Sequence, residues 1–287
     1  MISSSIRTIT PNRAKIMLGT QITNRSLSNA IISRYARDMK QENWDENGQP
    51  IIISEEGELI DGQHRLNACI KADVPFRSVV TRGVEEKAKL TIDSGKKRSF
   101  AHQLQMNGVQ YSNHTAATVQ TVYHILEGST AVKLTNHEMQ KILDKYPDIL
   151  DSTQLVMSRI PLVPQPSVLS AVHFLASHFL SKKDNFTGQD MAGEFHKVFY
   201  TGVPFYKPIT SPGTKTKKDP AHIWRERLIR IMAKPHTAIP RKSVIDGTVH
   251  AWNLFVAGEM PSYFKIPEDV KMEGLPSLKK IRIDFNG

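Results

Sequence analysis

Residues 58–68 read E-L-I-D-G-Q-H-R-L-N-A and decide the fold of the segment around them. Two apolar residues run into Asp61 and Gly62, and an apolar-periodic segment follows the polar Gln63, His64 and Arg65. This order predicts a strand, a tight turn at the glycine and a helix. Glycine adopts backbone angles closed to other residues, and a helix start offers N–H groups and a positive dipole end to an anion. The stretch therefore predicts a phosphate-binding turn, with the arginine as a bidentate phosphate ligand.

A second polar cluster further along the chain repeats this pattern. Residues 93–99 read D-S-G-K-K-R-S, which combines a flexible glycine with neighbouring cations. Ser99 is positioned as the N-cap of a helix that runs through Met106. The cluster therefore predicts a second anion-friendly helix start, and the alternative is an ordinary capped and solvated helix.

Segments around the first turn alternate between helix and strand. Ser28 is suited to cap a helix over residues 26–41, and the apolar runs at 51–53 and 78–81 predict strands. The apolar run at 16–18 predicts a first strand before them. From about residue 100 the apolar spacing is almost wholly helical.

Length and composition suit a globular protein of one large or two medium domains, because the chain has 287 residues of which 39% are hydrophobic. No apolar run reaches the roughly 18 residues of a membrane span, and the N-terminus does not resemble a signal peptide. The single cysteine, Cys69, fits a reducing compartment. We therefore expect a cytoplasmic protein without a membrane partner. No metal site is predicted, because His173 and His178 have no carboxylate or thiolate at ligand spacing and fit a helical core.

A formal charge of +10 and a pI near 9.6 favour polyanionic partners. Clustered lysines and arginines gain free energy by releasing condensed counterions from nucleic acid. A solvated basic surface is the alternative. The cations predicted to contact nucleic acid are Lys96, Lys97, Lys215, Lys217, Lys218, Arg225, Arg227, Arg230, Arg241 and Lys242.

Residues 15–105 resemble the ParB/sulfiredoxin-like superfamily, most closely its phage- and plasmid-borne branch with a DGQHR-type box. The matching features are the helix before Pro50-Ile51-Ile52-Ile53, the box Asp61-Gly62-Gln63-His64-Arg65, and the cluster at 93–99. Segments 219–228 and 251–258 resemble a helical region often attached in this branch. The resemblance implies an α+β fold, with a small mixed-sheet nucleotide-binding domain over residues 1–100 and a helical domain for nucleic-acid or partner binding over residues 101–287.

The corresponding boxes are of the G-E-R-R type in ParB and of the G-C-H-R type in sulfiredoxin, and both hold nucleotide phosphates at the helix start. The resemblance therefore implies ATP or CTP as the ligand, with Mg²⁺ as a further candidate. Sulfiredoxin chemistry is not expected, because Gln63 stands where that reaction needs a nucleophilic cysteine. The residues implied to bind the nucleotide are Gly62, Gln63, His64 and Arg65 in the box, and Asn24, Arg25, Ser94, Arg98 and Ser99 on the far side.

Three residues of the box are candidates for catalysis. Arg65 would hold a phosphate, and His64 would donate to another phosphate or carry a proton near neutral pH. Asp61 has two competing roles: it activates a hydroxyl or holds Mg²⁺ through water, or it caps the helix.

The predicted function is a nucleotide-dependent DNA-binding protein or NTPase, encoded by a phage or mobile element. A ParB-like nuclease is the first alternative, although the chain shows no carboxylate cluster suited to two-metal cleavage. A small-molecule phosphotransferase is the second alternative. The sequence leaves open whether the protein is an enzyme, which nucleotide it binds, and whether it forms a homodimer.

Overall fold

The computed structural model of the chain describes residues 1–20, 27–90, 92, 98–159, 163–180, 190–234 and 238–275. The chain divides into two compact units, Met1–Lys97 and Arg98–Ile283, which we call unit 1 and unit 2. Among the described residues, unit 1 contains the β-sheet and unit 2 is mostly helical. The predicted α+β fold class is therefore confirmed.

Unit 1 is built on a four-stranded mixed sheet with the strand order β1-β4-β2-β3. β4 pairs antiparallel with β1 and parallel with β2, and β3 pairs antiparallel with β2. The β2–β3 register shifts between Ile52 and Ile53, close to the point where β3 leaves the sheet. The strands are β1 (Ser3–Ile9), β2 (Ile51–Ser54), β3 (Leu59–Asp61) and β4 (Phe76–Val84).

Three α-helices of unit 1 share its hydrophobic core, and the third of them packs against the other two. Leu66 and Cys69 of this helix belong to the same buried cluster as Ile51 of the sheet. The segment that follows the turn is thus central to unit 1. The helices are α1 (Pro11–Gly19), α2 (Asn29–Lys40) and α3 (Gln63–Ala72), and a 3₁₀-helix covers Glu86–Leu90.

The prediction of a strand at residues 16–18 is wrong, because these residues lie in α1. The side chain of Thr10 caps the helix by accepting a hydrogen bond from the main-chain N–H of Arg13. Pro11 follows at the first helical position, where its fixed φ angle and missing N–H favour a helix start. These two signals outweigh the short apolar run, and the first strand lies earlier, at β1.

The buried residues of unit 2 include two tryptophans, Trp224 and Trp252. The indole N–H of Trp224 donates to Thr248 Oγ1 at 3.0 Å, so its polar group is satisfied within the core. Gly247 leaves the space that this ring occupies, since an added Cβ would lie 2.2 Å from it. The helices are α4 (Phe100–Met106), α5 (Ser112–Glu127), α6 (Asn136–Lys145), α7 (Asp148–Ser158), α8 (Pro166–Leu175, continued by a π-helical turn at Ala176–Leu180), α9 (Met191–Thr201), α10 (Pro220–Met232) and α11 (Arg241–Val256).

Within the part of the chain that the structure describes, no helix has both the length and the apolar composition needed to cross a membrane.

Candidate functional site

The turn between β3 and α3 connects a buried strand directly to a helix. Leu59 and Ile60 are buried in the sheet, Asp61 ends the strand, and Gly62 is the N-cap of α3. The main-chain carbonyl of Gly62 accepts the first helical bond, from Leu66 N at 3.0 Å. The predicted order of strand, glycine turn and helix is therefore present.

Gly62 is required at this position for two independent reasons. Its φ angle of +110° lies in the left-handed region, which side chains with a Cβ rarely adopt. A Cβ at this residue would also lie 2.4 Å from Ile51 Cδ1, so the buried side chain of Ile51 would have to shift. The N-terminus of α3 consequently begins with a residue that has no capping side chain.

The guanidinium of Arg65 is engaged in the fold of unit 1. Its Nη1 donates to Gln49 O at 2.7 Å, and its Nη2 donates to Pro50 O at 2.7 Å and to Asp61 Oδ2 at 3.0 Å. The residue is only 7% exposed. Arg65 therefore fixes the segment that enters β2 to the start of α3, and its partners are protein oxygens.

His64 joins the same turn to α2. Its Nε2 accepts a hydrogen bond from the main-chain N–H of Ser28 at 3.1 Å, and Ser28 is the N-cap of α2. For Nε2 to accept, the ring must be neutral, with its proton on Nδ1. The side chain is buried, so in this arrangement His64 acts as an acceptor that orients two helices.

Gln63 and Asp61 flank these two residues. Gln63 is buried, and its main-chain carbonyl accepts from Asn67 Nδ2 at 2.8 Å. The side chain of Asp61 is 25% exposed, and it forms an ion pair with Arg65. Of the three residues predicted for catalysis, Asp61 is thus the one whose side chain keeps appreciable access to solvent.

Cys69 is buried on the inner side of α3. Its thiol donates to Val74 O at 3.2 Å, and burial, with a smaller contribution from Asp73, raises its pKa to about 11. A thiol with this pKa is a poor nucleophile at neutral pH. Cys69 is therefore a buried residue of the unit 1 core.

The residues predicted for the far side of the nucleotide are only partly described. Asn24, Arg25 and Ser94 lie outside the described residues, as do Lys96 and Lys97, which are predicted to contact nucleic acid.

Arg98 and Ser99 belong to unit 2. The Oγ of Ser99 accepts from His102 N at 3.3 Å, and His102 Nδ1 accepts from Ser99 N at 3.2 Å. Ser99 is therefore the N-cap of α4, as predicted, and its hydroxyl is engaged in that cap.

The predicted nucleic-acid-binding arginines of unit 2 mostly support its own structure. Arg225 donates from Nε to Phe199 O and pairs with Glu226. Arg241 donates to Ala117 O, Thr121 Oγ1 and Ser167 Oγ, and burial lowers its pKa. These two side chains hold helices together.

The remaining predicted cations of unit 2 are exposed at the surface. Lys242 pairs with Asp246 at 2.6 Å. Arg227 donates weakly to Phe264 O at 3.4 Å, and Arg230 donates to a carbonyl of its own helix. Three lysines between α9 and α10 form no ion pair among the described residues, namely Lys215, Lys217 and Lys218.

The partners that hold the turn in place come from distant sequence positions that the motif does not predict. They are the N–H of Ser28, the carbonyls of Gln49 and Pro50, and the side chain of Ile51. Three of these are main-chain groups, which every residue carries. No local sequence signal could have identified them.

Comparison with known proteins gave no match, neither to a family model, nor to a curated protein, nor to a solved structure. The similarity of residues 15–105 to the ParB/sulfiredoxin-like superfamily therefore rests on sequence motifs.

Proposed function

We propose that the chain is a cytoplasmic, nucleotide-dependent DNA-binding protein or NTPase, and that the nucleotide phosphates bind at the N-terminus of α3. The observation that carries this proposal is the left-handed Gly62, which leads from β3 into a ten-residue helix without a capping side chain. The first turn of α3 contains no acidic residue, so an anion there faces the positive helix end without competition from a carboxylate of that turn.

The hydrogen bonds of Asp61, His64 and Arg65 support a different role for each of these residues. Since Arg65 is bonded to Gln49, Pro50 and Asp61, the phosphate relies on the helix N-terminus, and Arg65 is a positioning residue. His64 orients α2 through Ser28. Asp61, which is partly exposed, is the group that would share a Mg²⁺ ion with the phosphates of ATP or CTP.

Calorimetry and thermal shift with ATP, CTP, GTP and ADP, each with and without Mg²⁺ and DNA, test the proposal. One triphosphate should stabilise the protein, by about 2.7 kcal/mol at a concentration 100 times its Kd. If no nucleotide produces heat or raises the Tm, the proposal fails. Degradation of DNA without nucleotide would instead favour the nuclease alternative, and phosphate transfer to a small molecule would favour the phosphotransferase.

Charge placed at the first residue of α3 tests the position of the phosphate. Gln63→Glu adds a carboxylate at the first residue of α3, next to the proposed phosphate position, so nucleotide affinity should fall at least about tenfold through like-charge repulsion. Asn67→Asp adds the same charge one turn further along the helix and should have a smaller effect. Circular dichroism checks that both variants are folded, and equal losses in the two variants would count against a site at this helix start.

Asp61→Asn separates binding from turnover. The amide oxygen can still accept from Arg65, while the charge that would hold Mg²⁺ is removed. Nucleotide binding should persist, and any hydrolysis measured as phosphate release should fall by about 100-fold or more. Asp73→Asn, at the opposite end of α3, is the matched control and should leave both unchanged. Undiminished hydrolysis in the Asp61 variant would remove Asp61 from the mechanism.

A further inference from the structure

The segment between α9 and α10 forms a short basic hairpin. Residues 207–218 read K-P-I-T-S-P-G-T-K-T-K-K, and we call them the basic hairpin. Ile209 and Lys217 pair in antiparallel fashion through two main-chain hydrogen bonds of 3.0 and 2.9 Å. At the tip, Thr214 N donates to Ser211 O at 3.1 Å, and Gly213 adopts a φ of +75°. The segment is therefore a hairpin-like loop that is closed by one β-bridge and a turn at its tip.

The basic hairpin carries positive charge without compensation. Its sequence contains four lysines and no acidic residue. All four are exposed, and within the described residues none forms an ion pair. The lysines are Lys207, Lys215, Lys217 and Lys218.

The carboxylate next to the hairpin in the sequence is used in anchoring its base. Asp219 is 1% exposed, and its Oδ2 accepts from Phe205 N at 2.8 Å and Tyr206 N at 2.9 Å. Its Oδ1 caps α10 by accepting from His222 N at 3.1 Å. The two ends of the hairpin are thereby tied together.

Two further bonds hold the base against the rest of unit 2. Lys218 N donates to Pro261 O at 3.2 Å, and Tyr206 OH donates to Phe255 O at 2.7 Å. A partner that binds the lysines therefore orders less of the chain on binding than it would with an unanchored loop, which favours affinity.

The chemistry of the basic hairpin fits a phosphate backbone. Its four exposed lysines supply the cations. Thr210 Oγ1 and Thr216 Oγ1 lie 3.2 Å apart, next to the bridge between Ile209 and Lys217, and can both contact phosphate oxygens. The hairpin has no aromatic residue on which the bases of a single strand would stack, which favours a duplex.

We propose that the basic hairpin is the surface that binds duplex DNA, through phosphate contacts from its four lysines. This inference rests on the DNA partner of the proposed function and locates it. Lys207 joins the predicted cations, while Arg225 and Arg241 are assigned to the packing of unit 2.

The test is fluorescence anisotropy of a labelled DNA duplex with the full chain and with the variant K207Q/K215Q/K217Q/K218Q. Affinity near 0.1 M salt should fall at least about tenfold, and the slope of log K against log salt should shrink by about 3 to 4. The control K133Q/K145Q/K197Q/K271Q removes the same net charge from exposed positions elsewhere in unit 2 and should lower the affinity much less. Both variants should keep the Tm of the unsubstituted protein.

Three results would overturn the inference, each in a recognisable way. Equal losses in the two lysine variants would show a general charge effect and would leave the DNA partner in place. Absence of duplex binding by the unsubstituted protein would remove the DNA partner itself, while nucleotide binding is decided separately by calorimetry. Tighter binding to a single strand that is lost in Tyr263→Ala, an exposed aromatic, would replace the duplex with single-stranded DNA.

Discussion

The DGQHR turn of unit 1 and the basic hairpin of unit 2 both looked like anion sites in the sequence, but they use their cations differently. Arg65 is buried and donates to three protein oxygens, whereas Lys215 and Lys217 extend into solvent without an ion pair among the described residues. The difference shows that a cation in a motif can serve the fold or a ligand. Burial and hydrogen-bond partners, which are properties of the folded chain, separate the two cases.

The largest effect that follows from this contrast is on stability. Arg65→Ala removes the guanidinium donor from Pro50 O and Gln49 O, of which Gln49 O still accepts from Ser78 Oγ, and it leaves Asp61 without its ion-pair partner. The free energy of unfolding should fall by roughly 3 to 5 kcal/mol. Lys217→Ala should change it by less than about 0.5 kcal/mol. Urea denaturation of both variants measures the difference, and similar midpoints would contradict a structural role for Arg65.

Low pH should reveal a second contrast, because the helical core of unit 2 buries a histidine that forms no hydrogen bond with the described residues. His196 is 1% exposed, and within the described part of the chain neither ring nitrogen has a hydrogen-bond partner. Burial above all, then His173 and Arg159, lowers its pKa from 6.5 to about 4. Among the described residues, the turn between β3 and α3 contains no buried histidine that lacks a hydrogen bond.

The sign of this effect follows from proton uptake. Between pH 6.5 and 4 the unfolded chain binds more protons at His196 than the folded chain does. The contribution of the neutral His196 to the free energy of unfolding is therefore complete above pH 6.5 and is lost as the pH falls towards 4. The loss is on the order of 3 kcal/mol. Urea denaturation followed by tryptophan fluorescence should show it. His196→Leu should flatten the pH dependence, and an unchanged slope in that variant would assign the acid sensitivity to other groups.

Two glycines, one in the turn and one in the basic hairpin, allow a comparison of main-chain strain. The expected changes in stability are smaller than for Arg65. Gly62 and Gly213 both have a positive φ, but a Cβ on Gly62 meets Ile51 while nothing lies within 4 Å of one on Gly213. Gly62→Ala should therefore cost about 2 kcal/mol or more, and Gly213→Ala about 1 kcal/mol, which is the conformational penalty alone. Thermal unfolding measures both, and equal shifts in Tm would mean that Ile51 moves aside without cost.

Local signals account for the parts of the fold that could be predicted. Ser28 caps α2 because a hydroxyl can accept from an N–H three residues later, and Gly62 marks the turn because few other residues fit its backbone angles. The same kind of signal corrected the expectation at α1, where Thr10 and Pro11 specify a helix start more strongly than a short apolar run specifies a strand. The α+β fold class, which the resemblance implied, agrees with such patterns along the chain.

The candidate site was less predictable, because its decisive contacts are long-range. The box motif places Arg65 at a helix start, where a phosphate ligand is a reasonable expectation, but its actual partners are carbonyls 15 and 16 residues earlier. His64 likewise meets an N–H that lies 36 residues away. A main-chain carbonyl or N–H is present at every position, so nothing in the sequence marks which one a side chain will reach.

By itself, the sequence determined the strand, glycine and helix of the turn, the caps of several helices and the surplus of positive charge, since each depends on residue type and short spacing. Only the tertiary structure decided which cations are engaged and which are exposed. The reason is physical: a buried guanidinium must satisfy its donors with whatever oxygens the fold brings near, as Arg65 and Arg241 do. A lysine on the anchored basic hairpin, such as Lys217, stays exposed, so its ammonium group can contact a partner.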